Sequence, residues 1–198
     1  HSQESKFDAE LSQKDLIAEI ERLNADPAVH GILVQLPLPG GLDEEAVINA
    51  VDPDKDADGL HPVNLGRLMR GQDGFLPCTP HGVQQILQRS GIDVAGKHVV
   101  IVGRSSLVGR PLANMLTMKT AGANATVTLC HTGTTDLAYH TRQADILVVV
   151  TGFRNTVTAD MVKQGVVVID VGVNQVEDAS RKRGYRLVGD VDFDGVKE

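Results

Sequence analysis

The segment VVIVGRSSLVGRPLANML (residues 99–116) constrains this chain more than any other. Four apolar β-branched residues, Val99, Val100, Ile101 and Val102, run directly into Gly103. A short polar loop follows, and Gly109 and Pro111 then open an amphipathic stretch. That order predicts a buried strand, a glycine turn and a helix start. At such a turn the first N–H groups of the helix have no intrahelical partner and the dipole adds partial positive charge, so a pyrophosphate fits. The usual dinucleotide fingerprint spaces its glycines as G-x-G-x-x-G. Here Ser105 stands at the second glycine and Gly109 comes one residue late, so the spelling departs while the mechanics survive. An ordinary strand–helix turn is the competing reading of the same residues.

The end of the next strand bears on which dinucleotide would bind. In an NAD site that strand usually ends in Asp or Glu, which holds the ribose 2′-OH. The expected second strand, residues 125–130, ends in Cys130-His131-Thr132 and carries no acid there. Arg104 lies in the first turn, where His131 and Thr132 can sit beside it. A guanidinium and a hydroxyl suit a 2′-phosphate better than a bare hydroxyl, which favours NADP over NAD. A solvated Arg104 and a strand-capping His131 form the plainer alternative.

Strands and helices alternate along the chain. Ser12 caps a helix over residues 13–24, with Asp15 as a capping-box acid and Leu16, Ile17, Ile20 and Leu23 as its apolar stripe. Residues 31–36 read as a buried strand that stops at Pro37. Asp43 starts a short helix through Ala50, and a turn-rich stretch spans residues 52–64. Thr79-Pro80 opens a helix to about residue 90, with Pro80 at its tolerated first position. Further strands are expected over 98–102, 125–130, 145–151, 166–171 and 186–188. Helices are expected over 109–119, 136–142 and 159–164, the last capped by Thr158. Near-continuous Val/Ile/Leu strands between helices mean a parallel sheet covered on both faces. The fold class is therefore α/β. Two parallel-sheet domains are expected, residues 1–77 and a Rossmann-type dinucleotide-binding domain over 78–198, with the Pro80 helix as connector.

Composition removes several function classes. At 198 residues, 41% hydrophobic and 23% charged, the chain has ample material for a core. A net charge of −7 leaves no basic stripe, and Arg181-Lys182-Arg183 is too short to make one. Aromatic content of 3% offers no stacking platform for bases. Neither nucleic acid nor a membrane is expected as a partner. Cys78 and Cys130 make no disulfide framework, and no His/Cys spacing suggests a metal site. No apolar run approaches the ~20 residues of a membrane span. The N-terminal HSQESKFDAEL is polar, lacks a signal peptide's apolar core and begins with His1.

The first half holds two further chemical candidates. VQLPLP places Gln35 in an apolar strand before two prolines, and a buried amide without partners costs roughly 1–3 kcal/mol. A structural Gln bonded to a neighbouring loop satisfies that requirement too. DKDADGLHPVN crowds Asp54, Asp56, Asp58, His61 and Asn64 into one loop. The alternating acids resemble a calcium loop, but the terminal Glu is missing and Pro62 interrupts it. A carboxylate in a cleft is instead suited to gripping the N–H and NH2 edge of a heterocycle.

Taken together, VQLPLP, DxDGxHPxNxG (56–66), LPCTPxG (76–82), GRSxxVGxP (103–111), TADM (158–161), VIDVGxN (168–174) and GDVDF (189–193) resemble the bifunctional methylenetetrahydrofolate dehydrogenase/cyclohydrolase family. The motifs cover nearly the whole chain in the right order. The resemblance implies oxidation of 5,10-methylenetetrahydrofolate with NADP and hydrolysis of the methenyl product to 10-formyltetrahydrofolate. It implies Gln35 and Asp58 as catalytic residues, Gln35 through the family's lysine and Asp58 on the pterin ring. Val34, Gln35, Leu36 and Asp58 would contact the folate. Gly103, Arg104, Ser105, Gly109, His131, Thr132 and Val173 would contact the cofactor, with no metal. A cytoplasmic homodimer is implied, a mitochondrial location being the alternative.

Three departures accompany the resemblance. Gly133 stands where the family often has Arg, which removes a cation from the 2′-phosphate corner. The family's YxxxK motif, with the catalytic lysine, is not found in these residues, nor is the closing PVPGGVGPMT. Roughly a third of the family's length is lacking, part of the first domain included, so a longer polypeptide is expected. A non-catalytic NADP-binding module or dimer partner of the same fold is the alternative. Another NAD(P) dehydrogenase shares the Rossmann half but gives no reason for VQLPLP or DGxHP.

Overall fold

The computed structural model describes residues 1–8 and 10–197, and the chain divides into two compact units, His1–Cys78 and Thr79–Glu198. No helix among the described residues is long and apolar enough to cross a membrane.

The first unit is built on helices. Helix α1 (Gln13–Ala25) starts at Ser12, whose Oγ accepts from Asp15 N, and it buries Leu16 and Ile20. Helix α2 (Glu44–Ala50) is capped by Asp43, whose carboxylate accepts from Ala46 N. These helices close over Val47, Val51 and Ile32, with Val34 and Leu38 at the margin. Lys55 ties the end of α1 by donating to the carbonyls of Leu23, Asn24 and Asp26 at 3.2, 2.7 and 2.8 Å. An ammonium there satisfies carbonyls that a helix end leaves open and complements the dipole.

Residues 31–36, expected as a buried strand, make a single bridge, Ile32 to Asp56. No second extended segment among the described residues of this unit pairs with them, so the period-two alternation survives without a ladder. Ile32 is buried, Val34 and Leu36 are half-buried, and Leu33 and Gln35 face outward. The turn-rich stretch ends earlier than expected, because helix α3 (Pro62–Met69) begins inside it. Pro62 occupies the first turn, where its missing N–H costs nothing, and the His61 ring caps the helix by accepting from Val63 N.

The second unit carries the parallel sheet. Strands β1 (His98–Val102), β2 (Thr126–Cys130), β3 (Ile146–Val149) and β4 (Val167–Asp170) pair in the order β2-β1-β3-β4, all parallel. Both faces are buried. Val99, Ile101, Ile146 and Val148 pack with Val83 and Leu87 of α4 (Cys78–Arg89) and with Leu112 and Leu116 of α5 (Gly109–Thr117). Val100, Val102, Leu147 and Val149 pack with Val157 and Val191 and with Leu137 of α6 (Leu137–Thr141). Strands apolar at every position need two covering layers, and they have them.

Three local expectations change. Residues 159–164 form only a 3-10 turn, Ala159–Met161. Thr158 does not cap it, because its hydroxyl donates to Asp160 instead. Strand β6 (Tyr185–Val188) pairs antiparallel with a strand of polar sequence, β5 (Asn174–Glu177), that alternation of Val alone does not announce. A short α7 (Phe193–Val196) follows.

At the amino end of β3, Asp145 accepts from Lys163 Nζ at 2.7 Å and from His98 N at 2.9 Å. Lys163 first, then His98, lowers its carboxyl to about 2 from an ordinary value near 3.8. A depressed native pKa means that the unfolded chain takes up the proton first as pH falls. The contribution is therefore intact above about pH 4 and is lost as pH falls from about 4 to 2. Asp145→Asn should flatten that part of the acid limb in thermal melts recorded against pH. An acid limb that superimposes on wild type would assign the loss to other carboxylates.

Candidate functional site

Two separate places gather the candidate residues. The first lies at the carboxyl ends of the parallel strands. The chain leaves β1 for β2 on one side and reaches β3 on the other, so β1 lies at the switch point of the sheet, where open α/β sheets leave a crevice. Gly103 follows β1 directly. It has φ +130°, and a Cβ on it would overlap the Val150 carbonyl. A Cβ on Gly109 would overlap the Gly103 carbonyl in turn. Both glycines are thus demanded by close backbone packing, which brings the start of α5 against the end of β1. Val108 provides no side-chain cap for that helix. Ser105, at the second glycine position, braces the loop by accepting from Val108 N at 3.1 Å. An uncapped helix start on a glycine loop is the geometry that takes a phosphate.

Arg104 is exposed, and its guanidinium is unpaired among the described residues. Val102 pairs with Cys130, and Gly103 N donates to Cys130 O at 2.9 Å, so the turns carrying Arg104 and Thr132 leave adjacent strands. Thr132 is exposed. His131 is occupied locally, its Nδ1 accepting from Gly133 N at 3.0 Å and its own N–H bonded to Thr134 Oγ1. A Cβ at Gly133 would come within 3.2 Å of the His131 ring, so the missing cation coincides with a tight turn. Val173 lies beyond the end of β4, 70% exposed.

The second place is an open recess in the first unit, lined by Ile32, Val34, Leu36, Ile48, Val51, Asp56, Asp58 and Leu60. Its walls are apolar and its polar groups are two carboxylates. Asp56 is spent on structure: it is 5% exposed and accepts from Leu60 N, His61 N and Asn64 Nδ2. Asp58 keeps its acceptor capacity. Burial pushes its carboxyl up, the Cys78 thiol pulls it back, and the charge of Asp56 pushes it up again, for a net rise. The turn is held by Cys78, whose N–H donates to Asp58 O at 3.2 Å and whose thiol donates to Ala57 O. Gly59 makes the turn possible, with φ +67° and no room for a Cβ against Leu76.

Val34, Leu36 and Asp58 thus converge, while Gln35 does not. It lies outside the recess, exposed, with Nε2 donating to Leu36 O at 2.9 Å. The odd residues of the 31–36 segment face away from the even ones, which is why the amide is neither buried nor in need of partners. Sequence reasoning does not single out Asp56 and Cys78 for this site. Their signal lies in DxDG and LPCTP, where the first Asp must satisfy the tight turn that presents the second.

Residues 77–198 match the family model for the tetrahydrofolate dehydrogenase/cyclohydrolase NAD(P)-binding domain, and residues 1–58 match the catalytic-domain model of the same family. The chain belongs to the tetrahydrofolate dehydrogenase/cyclohydrolase family. It is 58% identical over 188 residues to the bifunctional protein FolD of Syntrophus aciditrophicus and 59% identical over 191 residues to that of Salinibacter ruber. These alignments take in 95% and 96% of the chain but 64% of each relative, so the chain spans just under two thirds of their length. Among solved structures, the FolD dehydrogenase/cyclohydrolase of Campylobacter jejuni is similar at TM-score 0.86 and 47% identity, over 95% of this chain and 64% of that one. The Trypanosoma brucei enzyme, solved with NADP and an inhibitor, is similar at TM-score 0.87 and 42% identity, over 96% and 64%.

Proposed function

We propose that this protein acts as an NADP-dependent methylenetetrahydrofolate dehydrogenase and methenyltetrahydrofolate cyclohydrolase. The hydride would pass from the methylene bridge of the folate to the nicotinamide, leaving the methenyl cation. Water would then add to that carbon with loss of a proton, and cleavage of its bond to N5 would give 10-formyltetrahydrofolate. Family membership supports the pair of reactions. NADP as the cofactor follows from Arg104 and Thr132 flanking a glycine-built helix start that no acid accompanies. The Asp58 recess would take the pterin, its carboxylate accepting from the ring's N–H and NH2 edge while Val34 and Leu36 cover the face. The same reading includes a homodimer in the cytoplasm, on the strength of the family alone.

The observation that carries the cofactor reading is the unpaired Arg104 beside the β1–α5 turn. A charge-assisted contact to a phosphate is worth roughly 1.5–3 kcal/mol, so Arg104→Ala should weaken NADPH binding by that much. NADH, which has no 2′-phosphate, should bind the variant and the wild type alike. Fluorescence titration with both nucleotides decides it, since equal losses for the two would remove Arg104 from the 2′-phosphate.

A further inference from the structure

The motifs VIDVGxN and GDVDF converge on one buried carboxylate. Asp190 is fully buried, and its two oxygens accept four hydrogen bonds. Oδ2 takes Thr151 N at 2.6 Å, Gly152 N at 2.8 Å and Thr151 Oγ1 at 3.0 Å, while Oδ1 takes Asn174 Nδ2 at 2.8 Å. Asp170, the last residue of β4, secures the peptide that carries this carboxylate by accepting from Asp190 N and Val191 N, and from Gly172 N on its own loop. The packing is reciprocal. A Cβ on Gly172 would overlap the Asp190 carboxylate, and a Cβ on Gly189 would overlap that of Asp170.

The place of this cluster in the sheet matters. Thr151 and Gly152 follow β3, and Gly172 follows β4, a neighbouring parallel pair, so both loops emerge at the carboxyl edge where such sheets bind ligands. The peptide held by Asp190 directly follows Val150, whose carbonyl occupies the space left by the missing Cβ of Gly103. A continuous path therefore runs from Asp190 through Thr151 and Val150 to the turn that would cradle the phosphates.

We propose that Asp190 is a positioning residue for the dinucleotide, its carboxylate fixing the loops after β3 and β4 and, through Val150, the glycine turn after β1. This rests on the reading of the second unit as an NADP site. The surroundings of the carboxylate suit that role. Burial pushes it up, but the Asn174, Thr151 and Gly152 donors outweigh burial and hold it below the ordinary range, so it stays ionised. An ionised acceptor of three N–H groups and a hydroxyl holds a backbone more tightly than a neutral one.

The test compares Kd for NADPH with melting temperature across four proteins: wild type, Asp190→Asn, Asn174→Ala and Asp145→Asn. Asp145 lies at the opposite, amino end of β3 and serves as a control for stability lost away from the ligand edge. Asp190→Asn is expected to raise Kd at least tenfold at a temperature where all four are folded, and Asn174→Ala about threefold. Asp145→Asn should lower the melting temperature and leave Kd within twofold. If Asp190→Asn does not fold, Asn174→Ala decides, because it keeps the charge and removes one donor. Unchanged Kd in Asn174→Ala and in any folded Asp190→Asn, or an equal rise in Asp145→Asn, overturns the positioning role. Failure of the wild type to bind NADPH overturns instead the cofactor reading beneath it.

Discussion

Gly103→Ala should destabilise the second unit by about 2–6 kcal/mol and remove measurable NADPH binding. Two costs combine. The residue sits at φ +130°, where an L side chain is strained by roughly 1–3 kcal/mol. The added Cβ would also overlap the Val150 carbonyl, an atom of a backbone pinned by hydrogen bonds to Val102 and Asp190 and therefore unable to retreat. Overpacking against a fixed group costs about another 1–3 kcal/mol. The strain falls on the first residue of the phosphate turn, so binding goes with stability. Gly109→Ala offers a graded comparison. Its Cβ would meet the Gly103 carbonyl, yet its φ is not in the left-handed region, so only the packing cost applies. Chemical denaturation and nucleotide titration of both variants provide the check. A Gly103→Ala protein within about 0.5 kcal/mol of wild type, the range of an ordinary surface change, would show that the turn relaxes freely.

Which parts of this architecture are legible in the sequence follows from how local their causes are. Strand β1 and helix α5 are readable because an unbroken Val/Ile run and a glycine turn act over a few residues. The parallel sheet is readable because strands buried on both faces need no alternation. Helix α3 is hidden by its own start. Asp, Gly and Pro in DADGLHP read as a loop, although Pro62 is the first helical residue and His61 caps it by its ring rather than by a hydroxyl or carboxylate. The 31–36 segment misleads differently. Its apolar run is genuine, but a strand needs a partner, and the described residues supply one bridge. Gln35 is misplaced for the same reason, since an amide inside a strand must be satisfied and one on the outer face need not be. Asp190 cannot be ranked from sequence at all. Its importance lies in contacts with residues 151, 152 and 174, far along the chain, and only folding brings those together.

Asp58→Ala should weaken folate binding by roughly 2–4 kcal/mol, because it removes the acceptor of the heterocycle's donor edge. Little stability should be lost, since structural duty at that loop falls to Asp56 with its three donors. The pH dependence follows from the same surroundings. Burial and the neighbouring Asp56 raise the Asp58 carboxyl, so its protonation, and with it the loss of folate affinity, should begin at higher pH than for an ordinary carboxylate. Asp58→Ala should bind folate weakly at every pH and show no such fall. Gln35 provides the contrast. Exposed and bonded to the adjacent Leu36 carbonyl, it should cost within about 0.5 kcal/mol of stability when replaced by Ala. If it tunes the family's lysine, Gln35→Ala should spare folate binding and lower turnover, the water-addition step more than hydride transfer, since proton management matters most there. Separate assays of the two steps, with binding measured alongside, discriminate the roles. Folate affinity that is unchanged in Asp58→Ala would take the pterin out of this recess, and unchanged rates in Gln35→Ala would leave that amide a surface group.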